Sequence, residues 1–256
     1  MRKGCYLYDE AEKLLRYELR GLAIYNAILE ALASGYNRLY DICVKTVFDR
    51  TYVIKYLSVL QGLDIVGYIQ SIHLGTREKL RARGRLYFIK DNYFRFYYRY
   101  IFPYKDLLEQ EMVDDVLDII LRDYSNYMGF IFEKIAFELL IELNKRGLLR
   151  HRFNKIGRYW YRGDEIDIVT INEKSREAVF YEVKWSRLCR RDVERVIKGL
   201  IEKSQETPWA KGYRLGYGII AREYCEPIDD LLRKGYVLLK LSDFNRIVEK
   251  PREQQQ

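Results

Sequence analysis

The sequence predicts an α/β protein, α+β when the whole chain is counted, built from two modules. In residues 1–105, helical periodicity gives way to two short strand-like segments. In residues 106–256 the element order is αβββαβ, which is typical of a mixed sheet covered by helices. The whole excess of positive charge, +8 at pH 7, lies in the first of these segments. We therefore expect two domains, 1–105 and 106–256.

Helices and a hairpin are predicted for the first module. Periodic apolar residues indicate helices over 9–20, 21–35, 36–46 and 49–63. Asp49 is a good N-cap for the last helix, whose apolar face consists of Val53, Tyr56, Leu57 and Leu60. Strands are expected over 64–72 and around Leu86–Ile89. The last three of these helices, followed by a two-stranded hairpin, have the order of a winged helix, a variant of the helix-turn-helix.

Basic residues of the first module lie where a winged helix would meet DNA. Residues 1–105 contain 18 Lys and Arg against 10 Asp and Glu, whereas residues 106–256 contain 27 of each. Arg50 and Lys55 flank the expected recognition helix, 49–63. An extended hairpin would align five alternating basic residues along one edge, namely Arg77, Lys79, Arg81, Arg83 and Arg85. We expect them to contact phosphates; a protein-docking or linker module with a soluble basic surface is the alternative.

The aromatic segment 91–110 joins the two modules. Its apolar residues fall at helical spacing, which predicts a core helix ended by Pro103: Phe94, Tyr97, Tyr98 and Ile101. Interleaved aromatics and arginines that stack on bases are the alternative. Residues 104–123 are acidic and are expected to form a connector or the first helix of the second module.

The second module begins with a long apolar helix. It is predicted over 124–147, with Glu133 between apolar residues and Gly147 as its stop signal. Strands and one helix follow in the order β 152–161, β 165–171, β 178–185, α 190–204, β 213–221 and β 236–241, before a last helical turn. This order predicts a mixed sheet with helices on its faces.

Charged residues interrupt two of the predicted strands. Alternation places Glu182 and Lys184 on one face of their strand, with Val183 and Trp185 on the other. In the preceding strand, Glu165 and Asp167 are expected on one face, and Ile166 and Ile168 on the opposite face. If the strands are neighbours, Asp167, Glu182 and Lys184 converge and suit a hard cation such as Mg²⁺. An ion-paired, solvated strand face is the alternative.

Several classes of site are disfavoured by composition. Two histidines argue against histidine triads and zinc hydrolases, and neither GxxxxGK[ST] nor GxGxxG is present. The four cysteines form no CxxC pair, so reduced and mostly buried thiols are expected: Cys5, Cys43, Cys189 and Cys225. Without a long apolar run or a secretory apolar core, a cytoplasmic location is expected. The abundance of Tyr, with few Gln, Met and His, resembles the composition of thermophile proteins.

The motifs GFIFEKIAFELL, EIDIV and FYEVKW together resemble the core of the PD-(D/E)XK nuclease superfamily, a restriction-endonuclease-like fold. More closely, residues 9–250 resemble the C-terminal half of the archaeal ATPase family, on segments such as LRGLAIYNAILEALASGYNRLYDI, YFIKDNYFRFYYRY and YWYRGDEIDIV. In that family an AAA-type ATPase precedes a winged helix and a nuclease-like domain. The ATPase module is missing here, so ATP hydrolysis is not expected, although an AAA-type ATPase module is an expected partner.

The resemblance implies roles for four residues. Asp167 and Glu182 would be ligands of Mg²⁺ or Mn²⁺, Lys184 the catalytic lysine, and Glu133 an additional acid directed at the metal. Ile166 stands where the superfamily name has proline, which many members tolerate.

A DNA-binding protein with a Mg²⁺-dependent nuclease domain is therefore the expected function. The helix after the strands adds basic residues that suit a phosphate backbone, or else form a solvated face: Arg187, Arg190, Arg191, Arg195 and Lys198. Restriction-type nucleases often act as dimers, which makes a homodimer a further expectation. The rival interpretation is a non-catalytic DNA-binding or regulatory module of an AAA-type ATPase.

Overall fold

A computed structural model of the protein describes residues 6–72, 84–161 and 163–244. The chain divides into two compact units, one of residues 1–70 and 78–124 and the other of residues 71–77 and 125–256. The boundary expected near residue 105 thus lies within the first unit. The functions assigned to the two domains stay predictions.

The first unit begins with four helices and a hairpin. The helices are α1 (Tyr6–Glu18), α2 (Leu22–Ala33), α3 (Leu39–Thr46) and α4 (Arg50–Gly62). β1 (Val66–Gln70) and β2 (Arg85–Ile89) pair antiparallel. Asp49 caps α4 by accepting a hydrogen bond from the backbone N–H of Tyr52 at 3.0 Å. The predicted order of these elements is confirmed.

The aromatic segment supplies much of the core of the first unit. It forms α5 (Asn92–Phe96), a π-helical turn (Tyr97–Ile101), a 3₁₀ turn (Phe102–Tyr104) and α6 (Lys105–Glu109). Tyr97, Tyr98 and Ile101 are buried, as expected for a core helix. Pro103 does not end the helical path, because it occupies an early position of the 3₁₀ turn, where its missing N–H needs no partner.

The longest helix, α7, runs from Val113 to Lys145 over 33 residues. It begins 11 residues before its expected start at residue 124, because the acidic connector is itself helical. Asp114 and Asp115 in the first turn favour a helix start at this point, since acidic side chains stabilise the positive end of the helix dipole. Gly147 follows the helix with a φ of 67° and ends it, as predicted.

A five-stranded mixed sheet forms the centre of the second unit, in the spatial order β3-β4-β5-β6-β7. The strands are β3 (Lys155–Tyr161), β4 (Asp164–Asn172), β5 (Glu177–Leu188), β6 (Arg214–Tyr224) and β7 (Val237–Lys240). The first three strands are antiparallel, and β5, β6 and β7 are parallel. α8 (Arg190–Gln205) connects β5 to β6, and α9 (Asp229–Arg233) connects β6 to β7. The predicted αβββαβ order is confirmed.

Apolar clusters line the two faces of this sheet. Phe132, Ala136 and Leu140 of α7 pack against β4 and β5 residues such as Tyr181. On the other face Leu200 of α8 packs against Phe180, and burying such clusters is the main stabilising contribution to the unit. Among the described helices, none has the length and apolar character needed to cross a membrane.

One expectation about the cysteines is wrong. Cys189 and Cys225 form a disulfide, whereas Cys43 is a partly buried free thiol. The parallel pairing of β5 and β6 sets Leu188 opposite Tyr224, and the two cysteines are the next residues of each strand. The sequence separation of 36 residues gave no hint of this proximity. Cys5 lies outside the described residues.

Candidate functional site

A β-bulge on β4 creates the geometry of the candidate site. Gly157 pairs with Val169, but Tyr159 pairs with Ile166, so Asp167 and Ile168 of β4 together lie opposite one residue of β3. That residue is Arg158. An extra residue of this kind bends the strand and redirects its side chains.

The bulge overturns the expected alternation on β4. Ile166 packs in the cluster beneath α8, whereas Ile168 packs with Phe132 of α7, so the two isoleucines do not share a face. Strict alternation assumes an unbroken strand, and the sequence EIDIV carries no glycine that would mark the bulge. On β5 the expected alternation is confirmed, since Val183 and Trp185 both belong to the cluster that contains Phe132.

The Asp167 carboxylate lies where β4 and β5 separate. Ile168 is the last β4 residue that pairs with β5, opposite Tyr181. Beyond that pair, the Asp167 carboxylate accepts a hydrogen bond from the backbone N–H of Val183 at 2.9 Å. A side chain of β4 thus takes the place of a main-chain acceptor in this contact. Its side chain is only 13% exposed. Asp167 is therefore fixed against the strand that carries Glu182 and Lys184.

Two lysines flank the Glu182 carboxylate. Lys184 Nζ donates to Glu182 Oε1 at 2.8 Å, and Lys203 Nζ of α8 lies 3.7 Å from Glu182 Oε2. Lys203 also donates to the backbone carbonyl of Glu165 at 2.9 Å. Sequence reasoning missed Lys203, because its position late in α8 gives no signal that it reaches β4 and β5.

Arg158 joins the acid of α7 to those of β4. Its Nη1 donates to Glu133 Oε2 at 2.9 Å, and its Nη2 lies 3.4 Å from Glu165 Oε2 and 3.7 Å from Asp167 Oδ1. Sequence reasoning missed this residue too, although an arginine inside the strand KIGRYWY was a usable signal of the same kind as Asp167.

Burial and neighbouring charges raise the pKa values of two acids of the site, Asp167 and Glu133. Burial raises the pKa of Asp167 to about 7, and the charges of Glu182 and Glu133 add to this effect. Burial likewise raises the pKa of Glu133; the ion pair with Arg158 opposes that shift and Glu182 adds to it. The carboxylates of Asp167 and Glu133 therefore hold a proton more readily than exposed carboxylates do.

Lys184 stays charged in this environment. Burial acts to lower the pKa of Lys184, but the hydrogen bond with Glu182 and the charges of Glu182, Asp167 and Glu133 outweigh it and raise the pKa. The Lys184 side chain is 41% exposed, so a ligand in solvent can reach it.

The charges of the site do not balance. Among the residues that the structure describes, four carboxylates (Glu133, Glu165, Asp167 and Glu182) meet three cationic groups (Arg158, Lys184 and Lys203). With every group ionised the sum is −1. One further cation is therefore electrostatically favoured near the buried carboxylates.

The donor set suits Mg²⁺ through two carboxylates. Within the described ranges, no three His, Cys, Asp or Glu side chains form a group that could hold a metal ion. Glu133, the expected third acid, accepts a hydrogen bond from Arg158 at its Oε2. Mg²⁺ in enzymes is commonly held by one or two carboxylates, with waters and substrate oxygens as the remaining ligands. Asp167 and Glu182 meet that requirement.

The residues predicted to bind DNA have different surroundings. Arg50 and Lys55 are exposed on α4, and Arg85 at the start of β2 stacks over the Tyr68 ring at 4.3 Å. The other basic residues that the sequence predicts for the hairpin lie outside the described residues: Arg77, Lys79, Arg81 and Arg83. On α8, Arg190 pairs with Glu194 at 3.2 Å and with Asp230, while Arg191 is exposed.

Comparisons with known proteins find similarity to proteins of unknown function. Residues 97–196 match the DUF234 family model, described as archaea bacterial proteins of unknown function. An uncharacterized protein of Methanocaldococcus jannaschii is 36% identical over 244 residues, which are 95% of this chain and 53% of the relative. The chain thus spans about half the length of the curated relative it matches.

Two solved structures show a weak likeness. A repair endonuclease from Pyrococcus abyssi aligns with 41% of this chain and 46% of its own, at 16% identity and a TM-score of 0.28. The protein VC1899 from Vibrio cholerae aligns with 96% of this chain and 56% of its own, at 12% identity and a TM-score of 0.28.

Proposed function

We propose that this chain binds DNA and that its second unit hydrolyses phosphodiester bonds with the help of Mg²⁺ or Mn²⁺. The observation that carries the proposal is the crowding of two largely buried carboxylates, Asp167 and Glu182, beside the charged amine of Lys184. The described residues of the site also carry one more carboxylate than cationic groups, which supports the proposal.

The residues of the site have distinct roles in this proposal. Asp167 and Glu182 would hold the ion, and Lys184, whose side chain is partly exposed, would bind and orient the attacking water or a phosphate oxygen. A bound Mg²⁺ supplies a water of lowered pKa and offsets charge on the scissile phosphate. Glu133, together with Arg158, positions Asp167 from the helix side.

The first unit is proposed to dock on DNA as a winged helix. The order of α2, α3, α4 and the β1–β2 hairpin supports this, as does the excess of basic residues in positions 1–105. Arg50, Lys55 and Arg85 would contact phosphates together with the basic residues at 77–83. We also propose, from the sequence, that the protein forms a homodimer on DNA and acts in the cytoplasm.

A non-catalytic role is the second candidate. The relative extends well beyond the region that this chain matches, and each carboxylate of the site has a cationic partner within the chain. Such a site would serve as a structural ion network in a DNA-binding or regulatory module of an AAA-type ATPase.

Metal binding and DNA cleavage separate the two candidates. Calorimetry with Mg²⁺ and Mn²⁺, and nicking of a supercoiled plasmid, are measured for the parent, Asp167→Ala and the near-isosteric Asp167→Asn. We expect the parent to bind and nick, and both variants to lose binding and at least about 100-fold of the nicking rate. Asp164→Ala, on the same strand but outside the ion pairs of the site, is the matched control and should behave like the parent. Equal behaviour of the parent and both Asp167 variants would favour the non-catalytic role.

A further inference from the structure

Arg158 occupies an unusual position for an arginine in a sheet. It lies on β3 directly opposite the bulge of β4, and its guanidinium reaches Glu133, Glu165 and Asp167. Its side chain is only 20% exposed. A buried guanidinium among carboxylates does electrostatically what a bound cation does, since it neutralises charge that water cannot reach.

We propose that Arg158 is the internal counter-cation of the site and that it sets the affinity of the site for a divalent ion. This inference rests on the proposed function, because it concerns the same pair of metal-binding carboxylates. In this role Arg158 stabilises the carboxylates when no metal is bound, and it opposes metal binding by adding a positive charge close to Asp167. Arg158 is a positioning residue, since it acts through Asp167 and Glu133.

The three contacts of Arg158 differ in a way that fits this role. The contact with Glu133 at 2.9 Å is a full hydrogen bond, whereas the approach to Asp167 at 3.7 Å is longer than a hydrogen bond. Arg158 can therefore give up Asp167 to a metal ion and stay anchored to Glu133. Its buried Nε has no hydrogen-bond acceptor within the part of the chain that the structure describes, so the guanidinium has a donor to spare.

Charge magnitude decides the direction of the effect. Replacing Arg158 with a neutral side chain changes the sum of the site from −1 to −2 when all groups are ionised. The lost positive charge repelled a divalent ion about twice as strongly as it repelled a proton at the same place. In the neutral variant, the free energy of metal binding therefore becomes more favourable by a larger amount than the free energy of protonating the same carboxylates. The affinity for the metal rises as a result.

The test measures the affinity for Mn²⁺ alone, by calorimetry at about pH 8, for the parent, Arg158→Met and Arg158→Lys. We expect Arg158→Met to bind Mn²⁺ at least about tenfold more tightly than the parent, and Arg158→Lys, which keeps the charge, to stay within about threefold of it. Arg187→Met is the matched control: it removes one positive charge from β5 at a side chain that is 55% exposed, and should leave the affinity unchanged.

A second measurement covers the case in which the neutral variant folds poorly. With chelator, Arg158→Met should melt below the parent, and saturating Mn²⁺ should raise its melting temperature more than that of the parent, because binding to the folded state is linked to stability. Tighter binding by Arg158→Lys than by Arg158→Met, or equal affinity of Arg158→Met and the parent, would overturn this inference alone. A parent protein that takes up no Mn²⁺ would overturn the proposed metal chemistry together with it.

Discussion

At the scale of single residues, the buried charges of the site lower the stability of the folded protein. Asp167 is largely buried, accepts one backbone hydrogen bond and lies 3.7 Å from the guanidinium of Arg158. Two further carboxylates, those of Glu133 and Glu182, raise its pKa. Residues that destabilise the folded state in this way are more common at functional sites than elsewhere. Removing the charge should therefore stabilise the protein while removing its proposed activity.

The difference in unfolding free energy between Asp167→Asn and the parent, measured against pH, tests this destabilisation. The folded-state pKa of about 7 lies above the ordinary value of 3.8, so the folded protein holds a proton that the unfolded chain releases. The contribution of Asp167 to stability is thus present below about pH 4 and is lost as the pH rises through 7. In chelator, the unfolding free energy of Asp167→Asn should exceed that of the parent by a margin that grows over this range, up to about 1–4 kcal/mol.

Urea unfolding at several pH values between about 4 and 8 measures that margin. Asp164→Asn, which makes the same carboxylate-to-amide change on the same strand, is the matched control. A margin that stays constant or shrinks as the pH rises would mean that the Asp167 carboxylate is not strained in the folded state.

At the scale of elements, strand patterns could be predicted from the sequence, but the bulge could not. Alternation placed Val183 and Trp185 correctly, because β5 is regular as far as Lys184. It failed for Ile166 and Ile168, because a bulge depends on how β3 and β4 pair and not on the local residues. The gathering of Asp167, Glu182 and Lys184 needed only neighbouring strands. The contribution of Arg158 needed the register of a third strand, which no local pattern contains.

The disulfide between the ends of β5 and β6 gives a second prediction at this scale. A loop of 36 residues is closed by the bond, which by loop-closure entropy stabilises the folded state by about 4 kcal/mol, and by less if the bond is strained. Cys225→Ser should therefore lower the unfolding free energy by about 2–4 kcal/mol. The measurement is denaturant unfolding with and without a thiol reductant.

Reductant should lower the stability of the parent to that of Cys225→Ser and should not affect the variant further. Cys43→Ser replaces the partly buried free thiol in the first unit and should keep the response to reductant. If reductant leaves the parent unchanged, the bond between Cys189 and Cys225 does not contribute to its stability.

At the scale of the whole molecule, the charge distribution and the compact units divide the chain at similar positions. The basic excess ends near residue 105, and the first compact unit ends at residue 124, within α7. Composition could show that the chain has two units, because the net charge of residues 1–105 differs from that of residues 106–256. It could not locate the boundary, because α7 is one continuous helix whose acidic first turns belong to the first unit.

The basic excess of the first module leads to a prediction about DNA binding by the full chain. Reversing three basic residues of the predicted wing, Arg81, Arg83 and Arg85, to Glu should weaken binding to duplex DNA at low salt. Each lost phosphate contact should also reduce the slope of log K against log[salt] by about 0.9, so three lost contacts reduce it by close to 3. The slope distinguishes this interpretation, because it counts the phosphates that are neutralised and not only the strength of binding.

A matched variant controls for net charge. Lys174, Lys211 and Lys234 are exposed residues of the second unit, and their reversal to Glu changes the net charge by the same amount. Fluorescence titrations over a range of salt concentrations should show a flattened slope for the hairpin variant and a parental slope for the control. Equal losses in both variants would mean that the protein attracts DNA only through its total charge. A hairpin variant that binds like the parent would mean that the hairpin does not touch DNA, and the first unit would then be better explained as a protein-docking module.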